Sequence, residues 1–217
     1  PLYSSAASDV YKRQRLIREL KGFKSHAMQA PRTEKKMIAT TRMFGRNVTD
    51  WQEIEEALAT YTTRAAEKLR RQHSAATGIA IFLLKKAPIQ LDAAYYSRGR
   101  QVSGYTQLDN PTQSTPDLIK AVVALGKSLY ETGEVYKKAG VILSGFVPDS
   151  ALQTNLFVAP IDTKKKKLMH VIDNMNAAYR NDVLKFGTSG TQKNWKMRSE
   201  KRSKRFTTRW EELCLVK

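Results

Sequence analysis

The stretch TDWQEIEEALATYTTRAAEKLRRQ, Thr49 to Gln72, narrows the fold more than any other part of this chain. Trp51, Ile54, Leu58, Tyr61, Ala65 and Leu69 step by three or four residues and give one apolar stripe on a helix. Thr49 with Gln52 fits a capping box. Acidic residues lead and Arg70-Arg71 close, as the helix macrodipole favours. A helix with one apolar stripe needs a surface to bury it against. Its neighbours supply one. Lys36–Gly45 is rich in apolar and β-branched residues and stops at Gly, so it reads as a strand. Gly78–Lys86 is a nearly continuous apolar run, hence a central strand.

The pattern then repeats in reverse. Gly99–Leu108 alternates weakly and reads as a third strand, and Pro111 and Pro116 bracket a loop. Thr115-Pro116-Asp117 is an N-cap followed by Pro at the first helical position. That helix carries Leu118, Val122, Leu125 and Leu129 inward and ends near Gly133. Tyr136–Val147 is the fourth strand. The order strand, helix, strand, strand, helix, strand is the split βαβ, ferredoxin-like arrangement of the α+β class. Two helices cover one face of a four-stranded sheet, and the other face is open to a partner. This domain spans residues 35–149.

The flanks read differently. Residues 1–14 lack periodicity and read as a non-native leader outside the fold. Arg15–Phe23 reads as the end of a helix closed by Gly22, and a linker follows to residue 34. Residues 150–163 form a second linker. Residues 164–217 read as a small basic α/β module: a helix over Lys164–Arg180, a short strand in VLKFG, and a stretch that mixes Trp195, Met197, Phe206 and Trp210 with many cations. The two tryptophans read as the core of that module, with an interface role as the alternative.

Charge sets the partner class. Thirty-eight Lys and Arg against twenty Asp and Glu give +18. A field of that sign favours polyanions, nucleic acid before an anionic membrane. No apolar run approaches the length of a membrane span. Residues 164–217 alone hold fifteen Lys and Arg against five Asp and Glu, over half of the excess. A solvated tail would account for that charge, but the interleaved aromatic residues argue for order. One cysteine, Cys214, and three scattered histidines, His26, His73 and His170, offer no disulfide and no recognisable zinc spacing. The chain reads as intracellular and cytoplasmic.

Enzyme signatures are missing: no phosphate-binding G-x-x-x-x-G-K-[ST] loop, no G-x-S-x-G and no H-E-x-x-H occurs. Metal-dependent phosphoryl transfer needs clustered carboxylates, and the expected strands carry almost none. No catalytic residue, metal ligand or cofactor site is therefore assigned. What remains is binding. Lys36, Thr40, Thr41 and Arg42 lie in or beside the first strand, and Lys137 and Lys138 open the last. Arg100 flanks a glycine and joins the same surface or decorates a loop. Cations and short hydroxyls on a sheet face suit phosphate oxygens and carry no base information. They predict salt-sensitive, sequence-independent binding. Solubilising surface charge is the alternative.

The segments KKMIATTRMFG, AAEKLRRQ and YKKAGVILSGFV resemble the little-finger domain of UmuC-type Y-family translesion DNA polymerases. The C-terminal stretch, above all RSKRFTTRWEELCLV, is similar to the small domain that closes many UmuC proteins. The resemblance implies a sheet that grips template-primer duplex DNA. It places the phosphate contacts at Lys36, Thr40, Thr41, Arg42, Lys137 and Lys138. It also implies that catalysis, with Mg²⁺ and dNTPs, belongs to a palm upstream of these residues, so that this stretch alone is inactive. It reads RLIRELKGF as the exit from the thumb. Members of the family tether to the sliding clamp through a Gln-x-x-Leu-Phe peptide, and Gln153-Thr154-Asn155-Leu156-Phe157 fits that pattern. Leu156 and Phe157 would fill an apolar pocket while Gln153 bonds at its rim; the alternative is a Leu-Phe pair packed back on its own domain. Relatives associate with a processed UmuD-type dimer and with recombinase filaments. Two competing readings are a free-standing RNA- or ribosome-binding module, which the lack of an RNP1-type aromatic strand disfavours, and a clamp-binding accessory protein with no polymerase core.

Overall fold

A computed structural model describes residues 3–24, 34–86, 99–150, 163–179, 183–197, 203–206 and 209–213. The proposed clamp peptide, Gln153, Leu156 and Phe157, lies outside the described residues. The chain forms two compact units, Pro1–Lys35 and Lys36–Lys217.

The first unit contains one helix, α1 (Tyr3–Leu20). It runs unbroken across residues 14 and 15, where the sequence reading set a leader against a helix end. Its close is as expected. Gly22 takes the left-handed φ of +81. The Phe23 N–H donates to the Arg18 carbonyl at 3.0 Å and the Gly22 N–H to the Glu19 carbonyl at 3.0 Å. That pair of bonds satisfies two end carbonyls, and the positive φ it needs is cheap only for glycine.

The second unit opens with β1 (Ile38–Val48), α2 (Trp51–Arg71), β2 (Ser74–Lys85), β3 (Gln101–Thr112), α3 (Thr115–Leu129) and β4 (Tyr136–Pro148). The sheet order is β1-β4-β2-β3, with every neighbouring pair antiparallel. The strands β1 and β2 that flank α2 are split by β4, and the strands β3 and β4 that flank α3 are split by β2. This is the split βαβ α+β fold expected from the element order. The helix start is corrected by one residue: Asp50, not Thr49, is the N-cap, its carboxylate accepting from the Gln52 N–H at 3.3 Å. His73 turns the chain from α2 into β2 with a φ of 53, a conformation that short polar residues and His tolerate better than most.

The core is the interface between the helices and one sheet face. Ile54, Leu58, Tyr61, Ala65 and Leu69 of α2 and Leu118 and Val122 of α3 are buried against Ile79, Ile81 and Leu83 of β2 and Ala139, Val141 and Leu143 of β4. Each large side chain so buried stabilises the fold by roughly 1.5–3 kcal/mol before entropy is counted.

The rest of this unit meets the same domain through the Arg70–Asp173 pair and the buried Trp195. It contains α4 (Thr163–Ala178) and two short 3-10 turns, Gly187–Ser189 and Trp210–Glu212. VLKFG is not a strand. The Asn176 side chain takes both backbone groups of Leu184, accepting from its N–H at 2.9 Å and donating to its carbonyl at 3.0 Å. The backbone at the middle of that segment is thus satisfied by a side chain rather than by a ladder. Among the described residues no helix is long and apolar enough to cross a membrane.

Candidate nucleic-acid interface

Strand alternation sorts the sequence-derived candidates onto two sides of the sheet. Ile38 and Phe44 of β1 are buried on the helix side. Thr40 and Arg42 share their parity and point toward α2. Thr41 points the other way: a Cβ built on Gly140 would lie 2.7 Å from Thr41 Cγ2 and 2.4 Å from Phe82 Cε1, so these three positions share the uncovered face. Lys138 also lies on that face, paired to Met43 and to Leu84. Its ammonium sits 5.4 Å from the centre of the Phe82 ring, a cation–π approach. Lys137 is skipped by both ladders, because Tyr136 and Lys138 take the neighbouring partners. It occupies a bulge in a central strand. Lys36 precedes β1 and is exposed. The structure therefore brings Thr41 and Lys138 together and separates them from Thr40 and Arg42.

Rows of paired residues build the uncovered face. One row runs Thr41, Gly140, Phe82, Ser103; the next runs Ala39, Ile142, Ala80, Tyr105. Tyr105 is 61% exposed and Met43 48%. This surface mixes hydroxyls, small residues and the apolar Phe82, Ile142 and Met43 with the cation Lys138. It can follow a backbone by hydrogen bonding without reading bases.

At one end of the sheet stands a cation that sequence reading missed. Lys85 closes β2 and is buried, with its Nζ 2.5 Å from Glu131 Oε2 and 3.4 Å from Glu134 Oε1. Burial alone would push its ammonium down. The hydrogen bond to Glu131 and the charges of Glu131 and Glu134 outweigh that, and hold it above its ordinary 10.5. Glu131 is lowered in turn, by its hydrogen bond with Lys85 first and by their charge attraction second. Arg100 stands at this end too: its carbonyl accepts from the Lys85 N–H at 2.9 Å, and its charge lowers Glu131 further. The only sequence signal was a lysine ending an apolar strand.

On the helix side, the C-terminal segment is fastened to α2. Arg70 forks onto Asp173 of α4, Nε to Oδ2 at 2.6 Å and Nη2 to Oδ1 at 2.8 Å. Its remaining nitrogen, Nη1, donates to the Gln113 carbonyl and to Thr115 Oγ1, each at 2.8 Å. Lysines of the 164–167 run pair as well: Lys166 with Asp149 at 3.0 Å and Lys165 with Asp117 at 3.5 Å.

Trp195 is 2% exposed. It meets Phe44 edge-on at 6.3 Å and Tyr61 edge-on at 5.7 Å. The indole thus belongs to the core of the sheet domain, whereas Trp210 is 86% exposed. The Gly45 N–H donates to the Trp195 carbonyl at 2.9 Å. A Cβ at Gly45 would stand 2.3 Å from the Lys196 carbonyl oxygen, so only glycine admits this approach. Tyr61, beneath Trp195, has its phenol pushed up to about 12 by burial, against the opposing charge of Arg42. It stays neutral and able to donate at any physiological pH. Among the described residues no group of three or more His, Cys, Asp or Glu could hold a metal ion.

Known proteins match on both sides of residue 160. Residues 35–156 match the impB/mucB/samB family C-terminal domain, and residues 166–216 match a domain of unknown function, DUF4113. Protein UmuC of Salmonella typhimurium is 36% identical over 206 residues, 94% of this chain and 47% of that protein. Protein MucB of Escherichia coli is 28% identical over 204 residues, with the same 94% and 47% coverage. The chain spans about half the length of these curated relatives. Among solved structures, the little finger domain of PolIV in complex with the beta-clamp processivity factor is 14% identical with a TM-score of 0.39, covering 56% of this chain and 99% of that one. A DinB family error prone DNA polymerase from Sulfolobus solfataricus is 14% identical with a TM-score of 0.41, covering 64% and 37%. The family match takes in β1 through β4 and both helices between them, and the chain belongs to the impB/mucB/samB family, carrying its C-terminal domain over residues 35–156.

Proposed function

We propose that residues 35–149 are the DNA-gripping domain of an error-prone translesion polymerase acting in damage tolerance. On this reading the uncovered sheet face lies along the backbone of template-primer duplex. Residues 150–163 carry a peptide for the sliding clamp, and residues 164–217 form an accessory segment. The uncovered face carries the reading: in a chain of this family with a net charge of +18, one side of the sheet has no helix over it among the described residues. That side holds the Thr41, Ser103, Ser144 and Tyr105 hydroxyls as well as Lys138. Nucleotide transfer, with its Mg²⁺ and dNTPs, belongs on this reading to a palm in the longer parent protein.

Duplex affinity of the full chain, measured by anisotropy across salt concentrations, tests this. Affinity falls steeply with salt and varies little with sequence. Lys138→Ala lowers affinity equally for all sequences and reduces the salt slope by about 1. A flat salt response refutes the reading. For the clamp, Gln153, Leu156 and Phe157 form the expected contact. Burying the Leu and Phe side chains is worth roughly 3–6 kcal/mol gross, much of it offset by ordering the peptide. Leu156→Ala with Phe157→Ala abolishes retention on immobilised clamp and leaves duplex affinity intact; unchanged retention removes the tether.

A further inference from the structure

Between β1, α2 and the Trp195 segment lies a cleft of 460 Å³. Arg42, Arg64, Lys68, Arg71, Lys193 and Lys196 line it, against Glu67 as the one carboxylate. Glu67 is shared by Arg64 at 3.2 Å and Arg71 at 2.6 Å. Among the described residues Arg42, Lys68 and Lys196 have no carboxylate at ion-pair distance. The cleft wall also holds buried polar groups with no hydrogen-bond partner among the described residues: Thr40 Oγ1, Thr60 Oγ1, the Tyr61 hydroxyl and Trp195 Nε1. Tyr61 and Trp195 are each 2% exposed. Buried groups of this kind cost stability when unpaired.

We propose that this cleft is a phosphate-binding site, completed by the docking of the C-terminal segment. The chemistry names the ligand. Three arginines offer planar forks that match phosphate oxygens, and three lysines add mobile point charges. The two aromatic side chains are buried edge-on in the core and present no ring face, so nothing here stacks on a base. The site takes phosphate groups, either of a free polyphosphate or of a nucleic-acid backbone. It lies on the α2 side of β1, away from the face that bears Thr41 and Lys138, and is independent of the duplex reading above. It also gives the 166–216 segment a part: Lys193 and Lys196 bring to the cleft two cations that residues 35–156 lack.

The test uses the full chain, with inorganic pyrophosphate titrated by calorimetry and a single-stranded oligonucleotide followed by anisotropy. Arg42→Gln with Lys196→Gln removes two exposed cations from opposite walls of the cleft. It weakens binding at least about tenfold, while a control pair on α3, Lys120→Gln with Lys127→Gln, leaves pyrophosphate binding unchanged. The same control pair costs the oligonucleotide distinctly less. Loss confined to pyrophosphate assigns the site to free polyphosphate; loss in the oligonucleotide arm, beyond the control, assigns it to a strand backbone. The proposal is overturned if neither ligand is weakened, or if the control pair weakens binding equally. Near-UV circular dichroism of the packed aromatic side chains, Trp195 and Trp51 among them, verifies that each variant keeps its fold.

Discussion

Replacing Trp195 by alanine tests whether the C-terminal segment is part of the sheet domain's core. A buried tryptophan removes about 150–250 Å² from water, worth roughly 4–6 kcal/mol at about 25 cal/mol per Å². Residual compactness of the unfolded chain lowers this to about 3–5 kcal/mol. The edge-on contacts to Phe44 at 6.3 Å and Tyr61 at 5.7 Å add about 0.5–1.5 kcal/mol each. Truncation also abolishes the unpaired Nε1, which returns about 1–3 kcal/mol. These last two effects roughly cancel, leaving a loss of about 3–5 kcal/mol, the usual range for a core Trp→Ala. With a urea slope of about 2 kcal/mol per M, the midpoint falls by about 2 M. The assay is urea unfolding read by far-UV circular dichroism, which reports on β1–β4 and α2 directly. Trp210→Ala, at the 86% exposed tryptophan, is the control and leaves the midpoint in place. If Trp195→Ala moves the main transition by less than about 0.3 M, or splits off a second one while the first stays put, the indole is not part of this core.

Three further outcomes follow from the same geometry. Arg70→Ala, Asp173→Ala and their double variant, compared by urea unfolding, give a coupling energy of about 1.5–3 kcal/mol, because the fork is two charge-assisted bonds with Arg70 only 10% exposed; additive effects refute the clasp. Gly45→Ala forces a Cβ against the Lys196 carbonyl, loosens the Trp195 segment and costs about 1–3 kcal/mol, with near-UV dichroism reporting loss of the Trp195 signal; an unchanged spectrum and midpoint contradict the close approach. The ion pair at the end of β2 makes stability depend on pH at both extremes. Lys85 is raised from 10.5, so its contribution is full below that pH and is lost as pH climbs through the folded value. Glu131 is lowered from 4.5, so its contribution is full above that pH and is lost as pH falls through its folded value. The stability difference between the wild type and Lys85→Met is flat between these limits and shifts beyond either; a difference independent of pH rules out the pair.

The sheet and both of its helices were legible in the sequence because each apolar stripe had a matching period. Leu58, Tyr61 and Ala65 repeat as a helix, and Ile79, Ile81 and Leu83 alternate as the buried side of a strand. The binding residues were less legible. Lys36 to Arg42 form a run in sequence, but a strand sends neighbours to opposite sides, so Arg42 and Thr41 serve different surfaces. Arg64, Lys68 and Arg71 do form a stripe of cations at helical spacing, and that half of the cleft could have been found. Its other half could not. Lys193 and Lys196 reach the same place only because Trp195 plugs a hole between Phe44 and Tyr61, and no local pattern announces a docking of that range. The same holds for the Arg70–Asp173 fork, whose partners are 103 residues apart. The VLKFG segment failed for the opposite reason: its local pattern was a strand's, and a single side chain, Asn176, bonded its backbone first.

The ion pair of Lys166 with Asp149 at 3.0 Å, reinforced about two helical turns later by the fork on Asp173, has a geometric consequence for the residues between. The chain between Asp149 and Lys166 has both ends on one body, and its length bounds its reach. Phe157 stands about midway between Asp149 and Lys166, eight or nine residues from either end. At about 3.3–3.6 Å per residue, it can travel no more than about 30 Å from the domain. On the proposed clamp reading, a clamp taken up at Phe157 is held within that distance of the domain. On that reading the number of residues between Asp149 and Lys166, more than the strength of the Leu-Phe contact, bounds how far along the duplex clamp and sheet can be apart.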